Sequence, residues 1–292
     1  MPQLTEIDYS FNQIQDVSFN RFTKSNHILS VDFSNNHIWN MDWRSFANLK
    51  QLETLDLSHN HLRYFSDAVF SGKENLKLLY LNNNPLETLD LSNTKLESKD
   101  SLVLANDQKL KELYLGGSLL KELNWDFIAK LDGLEIFDMS NTRIIEIDDD
   151  CFVNSSDMKE LYLSGIPLRQ ISCNVFASLS NLQTLDLSNT EIEDLSDDCF
   201  VNNPNMSVLN LTNNLLAEID SVKMDLASLQ ILNLVGNKLT KLGMVISINL
   251  PNLKSLKIAE NPFDSTYLYD TMNEWVKNGL RIDVELIEPT ME

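Results

Sequence analysis

One pattern, L-x-x-L-x-L-x-x-N-x-L, recurs in phase along almost the whole chain, and nothing else in the sequence restricts its folding as strongly. Well-preserved copies run through Leu52, Leu55, Leu57, Asn60 and Leu62, and through Leu76, Leu79, Leu81, Asn84 and Leu86. First positions fall at Leu4, Ile28, Leu52, Leu76, Leu110, Leu134, Met158, Leu182, Met206, Leu229 and Leu253, about eleven repeats. Neighbouring copies start 24 residues apart, except for 23 between Met206 and Leu229 and 34 between Leu76 and Leu110. Apolar residues spaced by two within each copy mark a short strand with one buried face. A strand of this kind cannot bury its leucines alone, so successive repeats stack into a parallel sheet over one continuous core. The expected fold class is an α/β solenoid, a horseshoe with the parallel sheet on its concave face.

Two further columns support the stacking. Asn12, Asn36, Asn60, Asn84, Asn214, Asn237 and Asn261 follow the strands, where a carboxamide bonds backbone groups that a buried bend leaves unpaired. In the middle this column changes to Ser118, Thr142, Ile166 and Thr190, which predicts a looser centre. Phe22, Phe46, Phe70, Leu104, Ile128, Phe152, Phe176 and Phe200, each six residues before the next repeat, form a core-filling spine. About ten extra residues lie between Leu86 and Leu110, where Leu89-Asp90-Leu91-Ser92-Asn93-Thr94 imitates the motif out of phase. A lengthened outer loop is the expected form, since long insertions cost little entropy. An alternative register and a binding loop are the other readings.

On these motifs the chain resembles the leucine-rich-repeat family, in the 24-residue class common in extracellular proteins such as Toll-like receptor ectodomains and insect leucine-rich immune proteins. The resemblance covers roughly residues 4 to 263 and implies a non-enzymatic protein-binding role, immune or adhesive. It divides the chain into a leucine-rich-repeat solenoid, 1–263, and a C-terminal helical cap and tail, 264–292. Over 264–279 the sequence reads as a helix, with Leu268, Met272, Trp275 and Val276 on one face and Gly279 as its stop. It resembles the cap that follows N-P-F in extracellular members, except that Ser265 stands where those carry a first cap cysteine. At the other end the chain opens inside a repeat, leaving the Ile7–Tyr9 strand edge uncovered. The expectation is either a truncated product of a longer protein or an edge used for association.

Binding is expected on the strand face. The residue between the two leucines points away from the core, giving the column Asp8, Asp32, Asp56, Tyr80, Tyr114, Asp138, Tyr162, Asp186, Asn210, Asn233 and Lys257. Tyrosine supplies rigid amphipathic contact area of the kind enriched in binding hot spots. A central platform of Tyr80, Tyr114 and Tyr162, flanked by the aspartates and extended by Glu112 and Glu160, is the candidate surface for a protein ligand with a basic face. The competing reading is that Asp is simply the usual wording of this repeat.

No Gly-rich phosphate loop, nucleophile elbow or paired metal-ligand motif occurs, so the sequence points to no catalysis, cofactor or resident metal. His37 and His61 are equivalent in adjacent repeats, with His59 beside them; solvated turn residues are the expected reading, a metal or pH-sensitive site the lesser one. Asp148-Asp149-Asp150 and Asp197-Asp198 lack the ligand spacing and glycine of a calcium loop. The formal charge of −20 and pI near 4.5 disfavour nucleic acid and anionic membrane surfaces. No apolar run reaches the roughly 18 residues a membrane span needs, and the first residues lack the basic start and apolar stretch of a secretory signal. Of Cys151, Cys173 and Cys199, at least one is free or paired outside the chain; one bridge from Cys173 is compatible with the spacing, and buried free thiols are the favoured state. Sequons at Asn154, Asn205 and Asn210 point to an extracellular or cell-surface glycoprotein, though chance alone supplies a similar number. An intracellular scaffold or regulatory subunit is the alternative.

Overall fold

The computed structural model describes residues 4–17, 27–42, 46–70, 73, 75–104, 109–196, 198–219, 226–242 and 250–277. The chain forms two compact units, Met1–Ile144 and Ile145–Glu292. Each is a solenoid of stacked parallel strands.

In the first unit, β1 (Glu6–Asp8), β3 (Ser30–Asp32), β5 (Thr54–Asp56), β7 (Leu78–Tyr80) and β9 (Leu102–Val103) pair in that order. Ile7, Val31, Leu55 and Leu79 lie in register along the core side of this sheet. Ten residues further round each turn the described residues form two more sheets: a two-stranded one, in which β2 (Asp16–Val17) pairs β4 (Asn40–Met41), and a longer second sheet that begins with the two-residue β6 (Tyr64–Phe65) pairing β8 (Thr88–Asp90). From β8 this second sheet continues through β10 (Glu112–Tyr114) to β11 (Ile136–Asp138).

This arrangement replaces the expected outer loop. The segment Leu89-Asp90-Leu91-Ser92-Asn93-Thr94 is a full repeat strand, and its backbone makes the same bonds as any other: Lys111 and Glu112 N–H groups donate to Glu87 O, and Leu91 N–H donates to Tyr114 O. The ten-residue offset is a change of phase, in which the leucine-bearing strand moves from the first sheet to the second. Leu86, Leu89 and Leu91 are fully buried. Burying each is worth about 1.5–3 kcal/mol, which a solvent-exposed loop would forfeit. The signal was present in the spacing, because Leu86 and Leu110 are 24 apart.

The Asn ladder holds the turns together. The Asn60 amide donates to Phe33 O of the preceding turn and to Leu57 O and Ser58 O of its own, while its carbonyl accepts from Ile38 N–H. Asn36 and Asn84 repeat the scheme. Asn12, in the first described turn, is exposed and among the described residues bonds only its own Tyr9 O and Ser10 O. The residue before each ladder position takes positive φ: Asn35 (54°), His59 (54°), Asn83 (61°), Asn93 (59°) and Gly117 (71°). Asn and Gly tolerate that conformation best, and the turn requires it whichever sheet the strand joins.

The second-phase ladder begins with hydroxyls. Thr94, Ser118 and Thr142 are buried, and their side-chain oxygens have no partner among the described residues. The expected loosening is thus seen as missing cross-turn bonds. Replacing Ser118 by Asn is expected to raise stability by about 1 kcal/mol through restored cross-turn bonds; an unchanged or lower urea midpoint would count against this account.

In the second unit, β12 (Glu160–Tyr162), β13 (Thr184–Asp186), β14 (Val208–Asn210), β15 (Ile231–Asn233) and β16 (Ser255–Lys257) pair in sequence order. Asn214, Asn237 and Asn261 carry the ladder, and Thr190 joins it through its hydroxyl, whose single proton is shared between Leu187 O at 2.7 Å and Asn214 Oδ1 at 2.8 Å. Of the predicted spine, Phe46, Phe70, Ile128, Phe152, Phe176 and Phe200 are buried, Leu104 is half-buried and Phe22 lies outside the described residues. The first unit also carries a one-turn helix, α1 (Trp125–Ile128).

Helix α2 (Ser265–Lys277) follows the last strand. Asp264 caps it by accepting from Thr266 and Tyr267 N–H groups. Trp275 is buried, and the Tyr267 hydroxyl both donates to Leu242 O and accepts from Leu242 N–H. The Tyr267 hydroxyl thereby ties the helix to the turn at Leu242, while Leu268 and Met272 are half-buried. Gly279 lies outside the described residues.

Candidate functional site

The outward column has a structural duty. Asp8, Asp32, Asp56, Asp90, Asp138 and Asp186 each accept, through Oδ1, the N–H two residues on, at 2.7–2.9 Å. Asn210 and Asn233 do the same at 3.2 Å. This Asx bond ends the strand and starts the bend, which is why Asp recurs there. Bonds from Ser10 hold the Asp8 carboxyl below its usual range.

Tyr80, Tyr114 and Tyr162 have no such acceptor. Instead, the Tyr162 hydroxyl donates to Glu160 Oε2 at 2.7 Å, and Tyr114 reaches Glu112 Oε2 at 3.4 Å. Glu112 also accepts from Thr88 Oγ1 at 3.2 Å. The sequence E-L-Y places acid and phenol two apart on one strand, hence on the same face. Each pair is half-buried and held in position before any partner arrives.

Topology breaks the single column expected from the sequence. Tyr80 lies in the first sheet, between Asp56 and Val103. Tyr114 lies in the second, between Asp90 and Asp138. A platform joining Tyr80 directly to Tyr114 therefore does not form, because the phase change puts their strands in different sheets. The first unit instead offers one face with Asp8, Asp32, Asp56 and Tyr80, and another with Glu112, Asp90, Tyr114 and Asp138. On the second unit, Glu160, Tyr162 and Asp186 begin a row that turns neutral at Asn210 and Asn233 and ends at Lys257. Asp90 is the member the sequence column omitted.

The second face of the first unit extends onto β6. Tyr64 is 65% exposed, its hydroxyl donates to Glu87 Oε2 at 3.3 Å, and the Arg63 guanidinium bonds the same carboxylate while standing over the Tyr64 ring. Arg63 holds the Glu87 carboxyl below its ordinary range.

Cys173 and Cys199 form a disulfide, with Cα atoms 4.7 Å apart. Free thiols were the favoured reading, and for these two it is corrected: their separation of 26 residues is one turn plus two, which brings them side by side. Cys151 is free and buried, and desolvation together with the Asp148 carboxylate pushes its thiol far above the ordinary range. Asn154 is exposed. Asn205 is exposed but donates to Ser180 O, and Asn210 is engaged with Asp186 and Thr212. Among the described residues no group of three or more His, Cys, Asp or Glu is arranged around a metal position, and no helix is long and apolar enough to cross a membrane.

Stacked parallel strands with a carboxamide ladder define a repeat solenoid. The leucine-rich-repeat family model matches residues 26–86, 108–168, 158–216 and 180–239, and the chain belongs to this family. The matched segments omit 87–107, where the second phase begins. No curated protein matches the chain. A leucine-rich-repeat protein of Leptospira interrogans is similar in structure at TM-score 0.58 and 19% identity, over 95% of each chain. A chain of the Toll–Spätzle complex of Drosophila is similar at TM-score 0.51 and 20% identity, over 99% of this chain and 50% of that one. A chain of the octameric complex of Latrophilin 3, Unc5D and FLRT2 is similar at TM-score 0.53 and 21% identity, over 99% and 85%. At these identities the likeness is one of fold.

Proposed function

We propose that the chain is an extracellular recognition module that binds a protein ligand through its tyrosine–glutamate strand positions. The observation that carries this is the exchange at Tyr114 and Tyr162. Every Asp in the column bonds the following turn, whereas these tyrosines give that bond up and hold a phenol and a carboxylate outward. Forgoing a backbone bond of about 1 kcal/mol for a half-exposed aromatic fits selection for contact rather than stability. The Glu112, Asp90 and Asp138 carboxylates around Tyr114 suit a partner with a basic surface. The Cys173–Cys199 bridge favours an oxidising compartment, and protein complexes among the structural neighbours support a binding role.

Asn154 and Asn205 are the exposed sequons and the candidates to carry a glycan. Mass spectrometry of the native protein tests the compartment: a glycan at either position and an intact bridge are expected, whereas bare asparagines and three free thiols would favour the intracellular scaffold. For the face itself, Tyr162→Asn restores an Asx acceptor. It is expected to leave the unfolding midpoint unchanged or raised, while weakening partners selected from displayed extracellular proteins at least about tenfold. Undiminished affinity in both Tyr162→Asn and Tyr114→Asn would move the binding surface elsewhere.

A further inference from the structure

We infer that His37 and His61 form a two-imidazole site for a divalent ion of the zinc and copper class. The inference is independent of the proposed strand-face function. His37 Nδ1 and His61 Nε2 are 3.3 Å apart, the ring centroids are 5.4 Å apart, and the ring planes differ by 9°. Two imidazole nitrogens on one tetrahedral ion, each at about 2.0–2.1 Å, lie about 3.3–3.4 Å from each other, with ring centroids about 5.2 Å apart. The two side chains thus stand close to ligating separation, with their nitrogens facing across the gap.

The backbone sets the two residues one turn apart. Each histidine follows a buried ladder asparagine, Asn36 or Asn60, and each N–H donates to the preceding turn, His37 to Ile14 O and His61 to Ile38 O. The stacking of the turns therefore brings the two side chains side by side, and their rotamers set the approach of the rings. Both residues are exposed, so water or a donor from a partner can fill the remaining positions. His59 is engaged elsewhere, its Nε2 lying 3.2 Å from the Asn83 amide nitrogen, and it makes no ring contact with the pair among the described residues. The sequence grouped all three; the fold selects two. Without an ion the same nitrogens share one hydrogen bond, which requires at least one neutral ring.

Titration of the metal-free chain with zinc chloride at neutral pH, followed by calorimetry, tests the site. One ion per chain is expected, with copper(II) binding more tightly than zinc. His37→Ala and His61→Ala, each with an unchanged circular dichroism spectrum, are each expected to weaken zinc at least about tenfold, and His59→Ala less than about twofold. Because the chain carries a formal charge of −20, loose cation attraction is the rival explanation. Magnesium binding as tightly as zinc, zinc affinity undiminished in either variant, or no saturable zinc binding would each overturn the site.

Discussion

Asn60→Ala is expected to destabilise the first unit by about 3 kcal/mol and to lower its urea midpoint by about 1–2 M. The side chain is 3% exposed and serves four backbone groups: Phe33 O at 3.0 Å, Leu57 O at 3.1 Å, Ser58 O at 3.1 Å and Ile38 N–H at 2.9 Å. Alanine abandons all four in a bend that water does not reach. Each buried group left unpaired costs about 1–3 kcal/mol, with partial relief where a carbonyl keeps another partner. Asn12→Ala is the matched control, since Asn12 is exposed and, among the described residues, bonds only within its own turn. Its expected cost is below about 1 kcal/mol. Equal losses at the two positions would show that the cross-turn bonds do not hold the stack together.

Reducing the Cys173–Cys199 bridge is expected to cost the second unit about 3.5 kcal/mol. The bond closes a loop with a sequence separation of 26, and the entropy it removes from the unfolded chain sets that size in the loop-closure view. Unfolding of the wild-type chain with and without dithiothreitol gives the number. A Cys173→Ala, Cys199→Ala double variant should reproduce the reduced state and lose all response to reductant. Cys151 adds no response to reductant, because it is already a free thiol. A reductant effect persisting in the double variant would mean that the bridge is not the stabilising element.

These two tests probe different means of joining turns. The first unit relies on carboxamides in its early turns and on buried hydroxyls without partners at Thr94, Ser118 and Thr142. The second resumes the carboxamides at Asn214 and adds a covalent link on the other side of the turn.

Much of this was legible in the sequence, for a physical reason. The period of two within L-x-L, the period of 24 between copies and the Asn after each strand are local requirements of a stacked strand, and each copy states them again. Repetition therefore settled the fold class, the buried leucines, the ladder and the strand positions whose side chains face outward. It also held the clue to the phase change, since Leu86 to Leu110 spans one normal period. Which sheet each strand joins is another matter. Both columns bury leucine equally well, and only the pairing of β7 with β9 and of β8 with β10 decided that Tyr80 and Tyr114 lie in different sheets. Likewise, cysteines at 173 and 199, or imidazoles at 37 and 61, become neighbours only through the rise and winding of the solenoid. The sequence by itself determined what each turn must bury; the tertiary structure decided which turns and which side chains meet, because side-chain contact between turns depends on register in three dimensions.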